Sequence, residues 1–98
     1  MTKEAELKLL IKALTFAANK HRNQRRKNVD ASPYINHPIS LVNILCNEVH
    51  ITDINVICSA LLHDTVEDTE TTADELTLEF GRAISDIVME VTDDRTIT

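Results

Sequence analysis

The feature that most constrains this chain is a repeat of apolar side chains every three to four residues, with very few helix-breaking residues between them. The 98 residues include only one glycine and two prolines. A spacing of three to four residues places apolar side chains on one face of an α-helix. The sequence therefore predicts an all-α protein. It predicts one domain at most, because compact domains most often contain roughly 100–150 residues.

The first two predicted helices are joined by a polar loop. The first helix runs over residues 3–22, and residues 23–33 carry no apolar repeat and so predict an exposed loop. The second helix begins with Asn36 or His37 near its N-cap and with Pro38 in its first turn, where a missing backbone donor costs little. A lone histidine at such a position more often caps a helix than binds a metal ion.

Three further helices follow. Asp53 is the predicted N-cap of the third helix, and residues 72–75 match the capping box that begins a fourth helix. Gly81 ends that helix, and a fifth begins at about Arg82. Its apolar face is formed by Ile84, Ile87, Val88 and Val91. Because no later element is present to cover these side chains, we expect the chain to self-associate through uncovered apolar helix faces.

The third helix combines an apolar face with ionisable side chains in its last turn and just beyond. Its buried residues would be Ile57, Cys58, Leu61 and Leu62, and its ionisable residues are His63, Asp64, Glu67 and Asp68. A divalent ion such as Mn²⁺ accepts imidazole nitrogen and carboxylate oxygen. Adjacent helical residues point about 100° apart. One ion could therefore contact both His63 and Asp64 only at the edge or the fraying end of the helix.

These residue types suggest a metal site, but each has a second interpretation. His37, His63 and Asp64 would supply two nitrogens and one oxygen to the ion. Glu67 and Asp68 would then lie near the water on the metal and could move its proton. The alternative is that Glu67 and Asp68 belong to an acidic loop that caps the next helix.

The formal charge of −6 argues against broad nucleic-acid binding, which needs clustered basic side chains. The charge is unevenly distributed, because residues 64–79 are almost purely acidic and a basic cluster precedes them. That cluster contains Lys20, His21, Arg22, Arg25, Arg26 and Lys27. Together the two clusters suggest metal-dependent phosphate chemistry. The basic cluster has the alternative interpretation of a solvated helix end that complements the helix dipole.

Cellular location is indicated by the cysteines and by the hydropathy pattern. Cys46 and Cys58 lie within apolar helical patterns without metal-binding spacing, so we expect two buried thiols in a reducing compartment. No run of about 18 apolar residues is present. The sequence predicts a soluble, cytoplasmic protein that does not bind a membrane.

Four segments, read together, closely resemble a known family. They are HRNQRRK at residues 21–27, YINHP at 34–38, ALLHDTVEDT at 60–69 and EVTDD at 90–94. Their order and spacing are similar to those of the HD-domain hydrolases of the RelA/SpoT type, particularly the small single-domain alarmone hydrolases. The resemblance implies an all-helical HD fold that holds one Mn²⁺. It also implies removal of the 3′-pyrophosphate from ppGpp or pppGpp by a metal-activated water.

The resemblance also assigns roles to individual residues. It implies that His37, His63 and Asp64 are metal ligands and that Glu67 and Asp68 act on the water. It implies that Arg26 packs on the guanine base while Arg25 and Lys27 lie near the phosphates. Small members of this family are also associated with removing the 2′-phosphate of NADPH.

The chain departs from the family in its length. Family members are nearly twice as long, and their fourth metal ligand is an aspartate in a later helix that this sequence does not contain. Asp93 or Asp94 could substitute, although the resemblance implies that their segment lines a different part of the pocket. Residues 1–98 therefore look like the N-terminal half of an HD domain. Three classes stay open: a pyrophosphohydrolase, an inactive nucleotide or metal binder, and a purely structural helical module.

Overall fold

The computed structural model describes residues 1–22 and 33–97, without the side chains of residue 68 and residues 92–97. Within these ranges the regular elements are five α-helices, which confirms the predicted all-α class. They are α1 (Lys3–Lys20), α2 (Asn36–Asn47), α3 (Ile54–Asp68), α4 (Ala73–Phe80) and α5 (Arg82–Ile97).

Helix α3 lies at the centre of the fold. It packs against α1, α2 and α5, and α4 packs against α5. Ala13 and Ala17 on α1 are fully buried, and their small side chains allow the backbone of α1 to come close to α3. Phe16 of α1 meets Phe80 of α4 edge to face, with 5.3 Å between the ring centroids. The remaining core residues are Cys58, Leu61, Leu62, Leu76, Ile84 and Val88.

Local side-chain chemistry sets several helix ends, as the sequence predicted. The Asp53 carboxylate accepts hydrogen bonds from the backbone N–H groups of Asn55 and Val56, at 2.9 and 3.3 Å. The Thr72 hydroxyl accepts one from the N–H of Glu75 at 3.1 Å, which is one half of a capping box. The Glu75 carboxylate instead forms an ion pair with Lys20 of α1 at 3.0 Å. Gly81 ends α4 with a φ of +90°, a conformation that suits glycine.

The start of α2 agrees with the prediction, whereas the position of His63 and Asp64 on α3 does not. The N-cap of α2 is Ile35, which makes no side-chain capping bond, and Asn36 and His37 lie next to it as the first two residues of the helix. Pro38 does lie in the first turn, where it is buried. Helix α3 continues through Asp68, so His63 and Asp64 lie one turn before its last turn rather than in it. The reason is that backbone hydrogen bonding continues past the apolar repeat, up to Thr69 N–H donating to Thr65.

The apolar face of α5 is only partly uncovered. Ile84 and Val88 are buried at 1% and 0% exposure, so the expectation that they lack partners is wrong. They pack in the core with α3 and α4. The other two residues of that face, Ile87 and Val91, line an open groove of about 190 Å³ between α2, α3 and α5. Its other lining residues are Leu41, Val56, Ser59, Ala60 and His63.

The two cysteines are free. Cys58 is fully buried, as predicted, whereas Cys46 is only half-buried. None of the helices in the described part of the chain combines the length and hydropathy that crossing a bilayer requires.

Candidate metal centre

The candidate centre is built around one buried carboxylate. Asp64 has 4% of its side chain exposed, and a different histidine contacts each of its oxygens. His63 Nε2 lies 3.0 Å from Asp64 Oδ1. His37 Nε2, supplied by the first turn of α2, lies 3.6 Å from Asp64 Oδ2. The structure therefore brings together the three side chains that the sequence nominated as metal ligands.

A backbone hydrogen bond sets the state of His63. Its Nδ1 lies 2.9 Å from the carbonyl oxygen of Ala60, which can only accept, so Nδ1 carries a proton. In neutral His63 the lone pair is then on Nε2, the atom that faces the Asp64 carboxylate. Nε2 and Asp64 Oδ1 lie 3.0 Å apart, and their lone pairs repel each other unless a positive charge lies between the two atoms. A proton or a metal cation would meet that requirement.

The electrostatics of the pair agree with this geometry. The hydrogen bond with Asp64 raises the pKa of His63, although burial opposes the shift, and the charge of Glu67 adds to it. Burial alone would raise the pKa of Asp64, but the hydrogen bond from His63 and the bond from the Tyr34 hydroxyl outweigh it and lower that pKa. The carboxylate is therefore held ionised in a nearly dry environment.

The donor set fits a divalent cation in its chemistry, since imidazole nitrogen and carboxylate oxygen are ligands that Mn²⁺ accepts. Within residues 1–22 and 33–97, however, no three His, Cys, Asp or Glu side chains are arranged so that they could hold an ion as they stand. The histidines instead contact the carboxylate directly.

The structure describes only some of the other predicted site residues. Glu67 is half-buried and lies one turn beyond His63 on the same face of α3. Asp68 is the last residue of α3, and its side chain lies outside the described part. Arg25, Arg26 and Lys27 also lie outside the described residues.

Two residues near the carboxylate were not predicted as site residues. The Tyr34 hydroxyl donates a hydrogen bond to Asp64 Oδ2 at 3.2 Å. His21 has 1% exposure, so it is not part of a solvated basic helix end. Its ring stacks on Tyr34 instead. The available signal was that Tyr34, the only tyrosine, comes three residues before His37.

Comparison with protein families gives one matching model. The model describes an HD domain and matches residues 13–98 of this chain.

Curated relatives match most of this chain. The guanosine-3′,5′-bis(diphosphate) 3′-pyrophosphohydrolase MESH1 of Mus musculus is 56% identical over 93 residues, which are 95% of this chain and 52% of the relative. The Drosophila melanogaster protein of the same name is 45% identical over 89% of this chain and 49% of its own length. A probable GTP pyrophosphokinase of Mycobacterium leprae is 42% identical over 91% of this chain but only 11% of its own length. The chain thus spans about half the length of its MESH1 relatives.

A solved structure supports the same assignment. It is described as that of a metazoan ortholog of SpoT that hydrolyzes ppGpp. It superimposes with a TM-score of 0.82 at 43% identity, over 85% of this chain and 47% of the other. The arrangement of the helices is therefore shared with that protein over nearly the whole described part of this chain.

Proposed function

We propose a function for this chain from one premise: it belongs to the HD domain family. The function is Mn²⁺-dependent hydrolysis of ppGpp or pppGpp, which releases pyrophosphate from the 3′ position and leaves GDP or GTP. The observation that carries the proposal is the contact of His37 and His63 with the single buried carboxylate of Asp64. The names of relatives that are about 56% identical support the choice of substrate.

Each ligand would have a defined role at the metal. His37 and His63 would each offer an imidazole nitrogen, and Asp64 would offer a carboxylate oxygen. When bound, Mn²⁺ supplies positive charge that polarises a phosphoryl oxygen and makes water a better nucleophile near neutral pH. The Ala60 carbonyl fixes the ring of His63 so that Nε2 is the atom available for binding.

Two carboxylates would handle the protons of the reaction. Water oxygen bonds to the phosphorus attached to the 3′ oxygen, and the bond between that phosphorus and the 3′ oxygen breaks. One of Glu67 and Asp68 accepts a proton from the attacking water, and the other protonates or steers the departing 3′ oxygen. The position of Glu67 one turn from His63 is consistent with either role.

The basic residues 25–27 would bind the nucleotide. A planar guanidinium can stack on a purine, so Arg26 would pack on guanine. Arg25 and Lys27 would offset the charge of the phosphates. These three assignments come from the family resemblance. The alternative substrate is NADPH, from which the same residues would remove the 2′-phosphate.

The deciding experiment measures pyrophosphate release from ppGpp by this 98-residue chain, with and without Mn²⁺. The control is the double variant His63→Ala/Asp64→Ala. Release that requires Mn²⁺ and disappears in the control would support the hydrolase and show that this chain suffices. NADPH tested in parallel, with phosphate release as the readout, would decide between the two substrates.

A second candidate function is binding of a metal ion and a nucleotide without turnover. This function predicts Mn²⁺ binding that is abolished by His63→Ala/Asp64→Ala, together with no pyrophosphate release from ppGpp. A chain that neither binds Mn²⁺ nor releases pyrophosphate would contradict both functions.

Self-association is proposed through the groove between α2, α3 and α5. A second copy of this chain would cover Ile87 and Val91, the latter being 42% exposed. The molar mass in solution should exceed that of a monomer at high concentration. Val91→Glu should restore the monomer, whereas Leu78→Glu on α4 should not, since Leu78 lies outside the groove and is 83% exposed. A wild-type monomer at all concentrations would contradict the proposal.

A cytoplasmic location is also proposed. Two free thiols, one of them fully buried, suit a reducing compartment. Microscopy of the tagged chain in its own cells would test this assignment.

A further inference from the structure

Tyr34 contacts the candidate centre through its hydroxyl group. Its hydroxyl donates a hydrogen bond to Asp64 Oδ2 at 3.2 Å. The partner carboxylate is almost fully buried, so water has little access to replace this bond. A hydrogen bond to one oxygen of a carboxylate restricts rotation of the whole planar group. Tyr34 therefore restrains the direction in which the other oxygen, Oδ1, points.

The ring of Tyr34 is itself held in place from two sides. His21, at the C-cap of α1, stacks on it with 4.6 Å between ring centroids and 28° between the planes. His21 is 1% exposed and so cannot move aside without disturbing the core. The ring of His37 meets Tyr34 edge to face, with 6.0 Å between centroids. Tyr34 thus contacts two of the three candidate ligands and ties them to the end of α1.

We infer that Tyr34 is a positioning residue of the metal centre, which holds the Asp64 carboxylate in its binding orientation through its hydroxyl. The inference rests on the proposed function, because it assumes that Asp64 is a ligand. Groups that hydrogen-bond to a metal ligand orient it, and their loss typically weakens metal binding about 10–100-fold. His21 acts one step further away, because it fixes the ring that carries the hydroxyl.

The test is the variant Tyr34→Phe, which deletes the hydroxyl and keeps the ring that stacks on His21. Mn²⁺ binding is followed by the loss of the electron paramagnetic resonance signal of free Mn²⁺. We expect the Kd of the variant to rise about 10-fold, while its unfolding temperature without metal stays close to that of the wild type. A purely structural role for Tyr34 would lower that temperature and leave the Kd unchanged.

The matched control is Ser85→Ala. Ser85 is also a buried hydroxyl residue, with 2% exposure, and it donates to the carbonyl oxygen of Ala73 on the far side of the core. We expect its Kd for Mn²⁺ to equal that of the wild type. A Kd for Tyr34→Phe within about twofold of the wild-type value would overturn the inference while leaving the metal site intact. Absence of Mn²⁺ binding by the wild type would instead refute the proposed function, and this inference with it.

A second measurement tests the hydrogen bond without any metal. The chain has one tyrosine and no tryptophan, so its intrinsic fluorescence comes from Tyr34. A carboxylate that accepts a hydrogen bond from tyrosine quenches its emission. Asp64→Ala should therefore raise the emission of the metal-free protein, and Ser85→Ala should not. Equal emission from Asp64→Ala and the wild type would contradict the bond on which the inference depends.

Discussion

The two faces of α3 differ in how completely they are covered. On one face Cys58, Leu61, Leu62 and Thr65 are 0–2% exposed and packed in the core. On the other, Val56, Ala60 and His63 are half-buried and line the groove shared with α2 and α5. One helix therefore provides both much of the stability of the fold and the position of the candidate site. The closed face holds the helix fixed, so His63 on the open face and the buried Asp64 beside it keep a nearly constant spacing.

The largest expected difference between the faces is in packing energy. Leu62→Ala removes a fully buried side chain and should lower the free energy of unfolding by about 3 kcal/mol. Leu41→Ala deletes the same atoms from a half-buried residue of α2 that lines the groove beside the open face of α3, so its cost should be about 1 kcal/mol. Urea unfolding followed by circular dichroism measures both values. Equal costs for the two variants would remove the distinction between the faces.

Metal binding should require His63, the candidate ligand that lies on the open face. At free Mn²⁺ about 100 times its Kd, binding should stabilise the wild type by about 2.7 kcal/mol. His63→Ala should abolish this gain, which thermal unfolding with and without Mn²⁺ measures.

The matched control for that experiment is His50→Ala, because His50 is an exposed histidine in the connection between α2 and α3. Its variant should keep the full stabilisation by Mn²⁺. If Mn²⁺ stabilised His63→Ala as strongly as the wild type, His63 would not be a ligand.

The two thiols, Cys58 on the closed face of α3 and Cys46 on α2, should differ in their rates of alkylation. Burial raises the pKa of the Cys58 thiol to about 11, so at pH 8 this thiol is protonated as well as inaccessible. Half-buried Cys46 should react with an alkylating reagent at least about 10-fold faster. Mass spectrometry of timed samples measures both rates, and the two cysteines should react alike in concentrated urea. Faster reaction at Cys58 under native conditions would indicate that the closed face opens.

The smallest expected effect lies at the boundary between the faces. Ser59 is 4% exposed, and its hydroxyl donates to the carbonyl of Asn55 at 2.6 Å. That carbonyl is also in the hydrogen-bond ladder of α3, so Ser59→Ala should change the free energy of unfolding by only about 0.5 kcal/mol. Urea unfolding is again the measurement. A decrease in the free energy of unfolding above about 1.5 kcal/mol would mean that Ser59 contributes to stability as the core residues of the closed face do.

Much of the fold could be predicted because its determinants are local. The N-caps at Asp53 and Thr72 depend on contacts two or three residues along the chain, and the end of α4 depends on Gly81 alone. The sequence could not predict that Ile84 and Val88 are covered, because the covering residues come from other helices. The full length of α3 was also missed, since its last turn has no apolar repeat to mark it.

In the candidate site, too, features with local determinants could be predicted and contacts between distant elements could not. His63 and Asp64 could be nominated as a pair because they are adjacent and follow an apolar helix. The family motifs were needed to nominate His37 as a ligand, because a lone histidine beside a helix start more often predicts a cap. Tyr34 and His21 were missed because their contact with each other depends on how the end of α1 packs beside the start of α2.

The continuity of α3 through Asp68 limits how the centre could adapt to cations of different radius. His63 and Asp64 are adjacent on one rigid helix, whose closed face is packed in the core, so their spacing is nearly constant. His37 belongs to α2, and 41% of its side chain is exposed. If these three residues bind a cation, adjustment to a larger or smaller ion would come mainly from His37. Discrimination among divalent cations would then depend on how firmly α2 is held, rather than on α3, the helix that would supply two of the three proposed ligands.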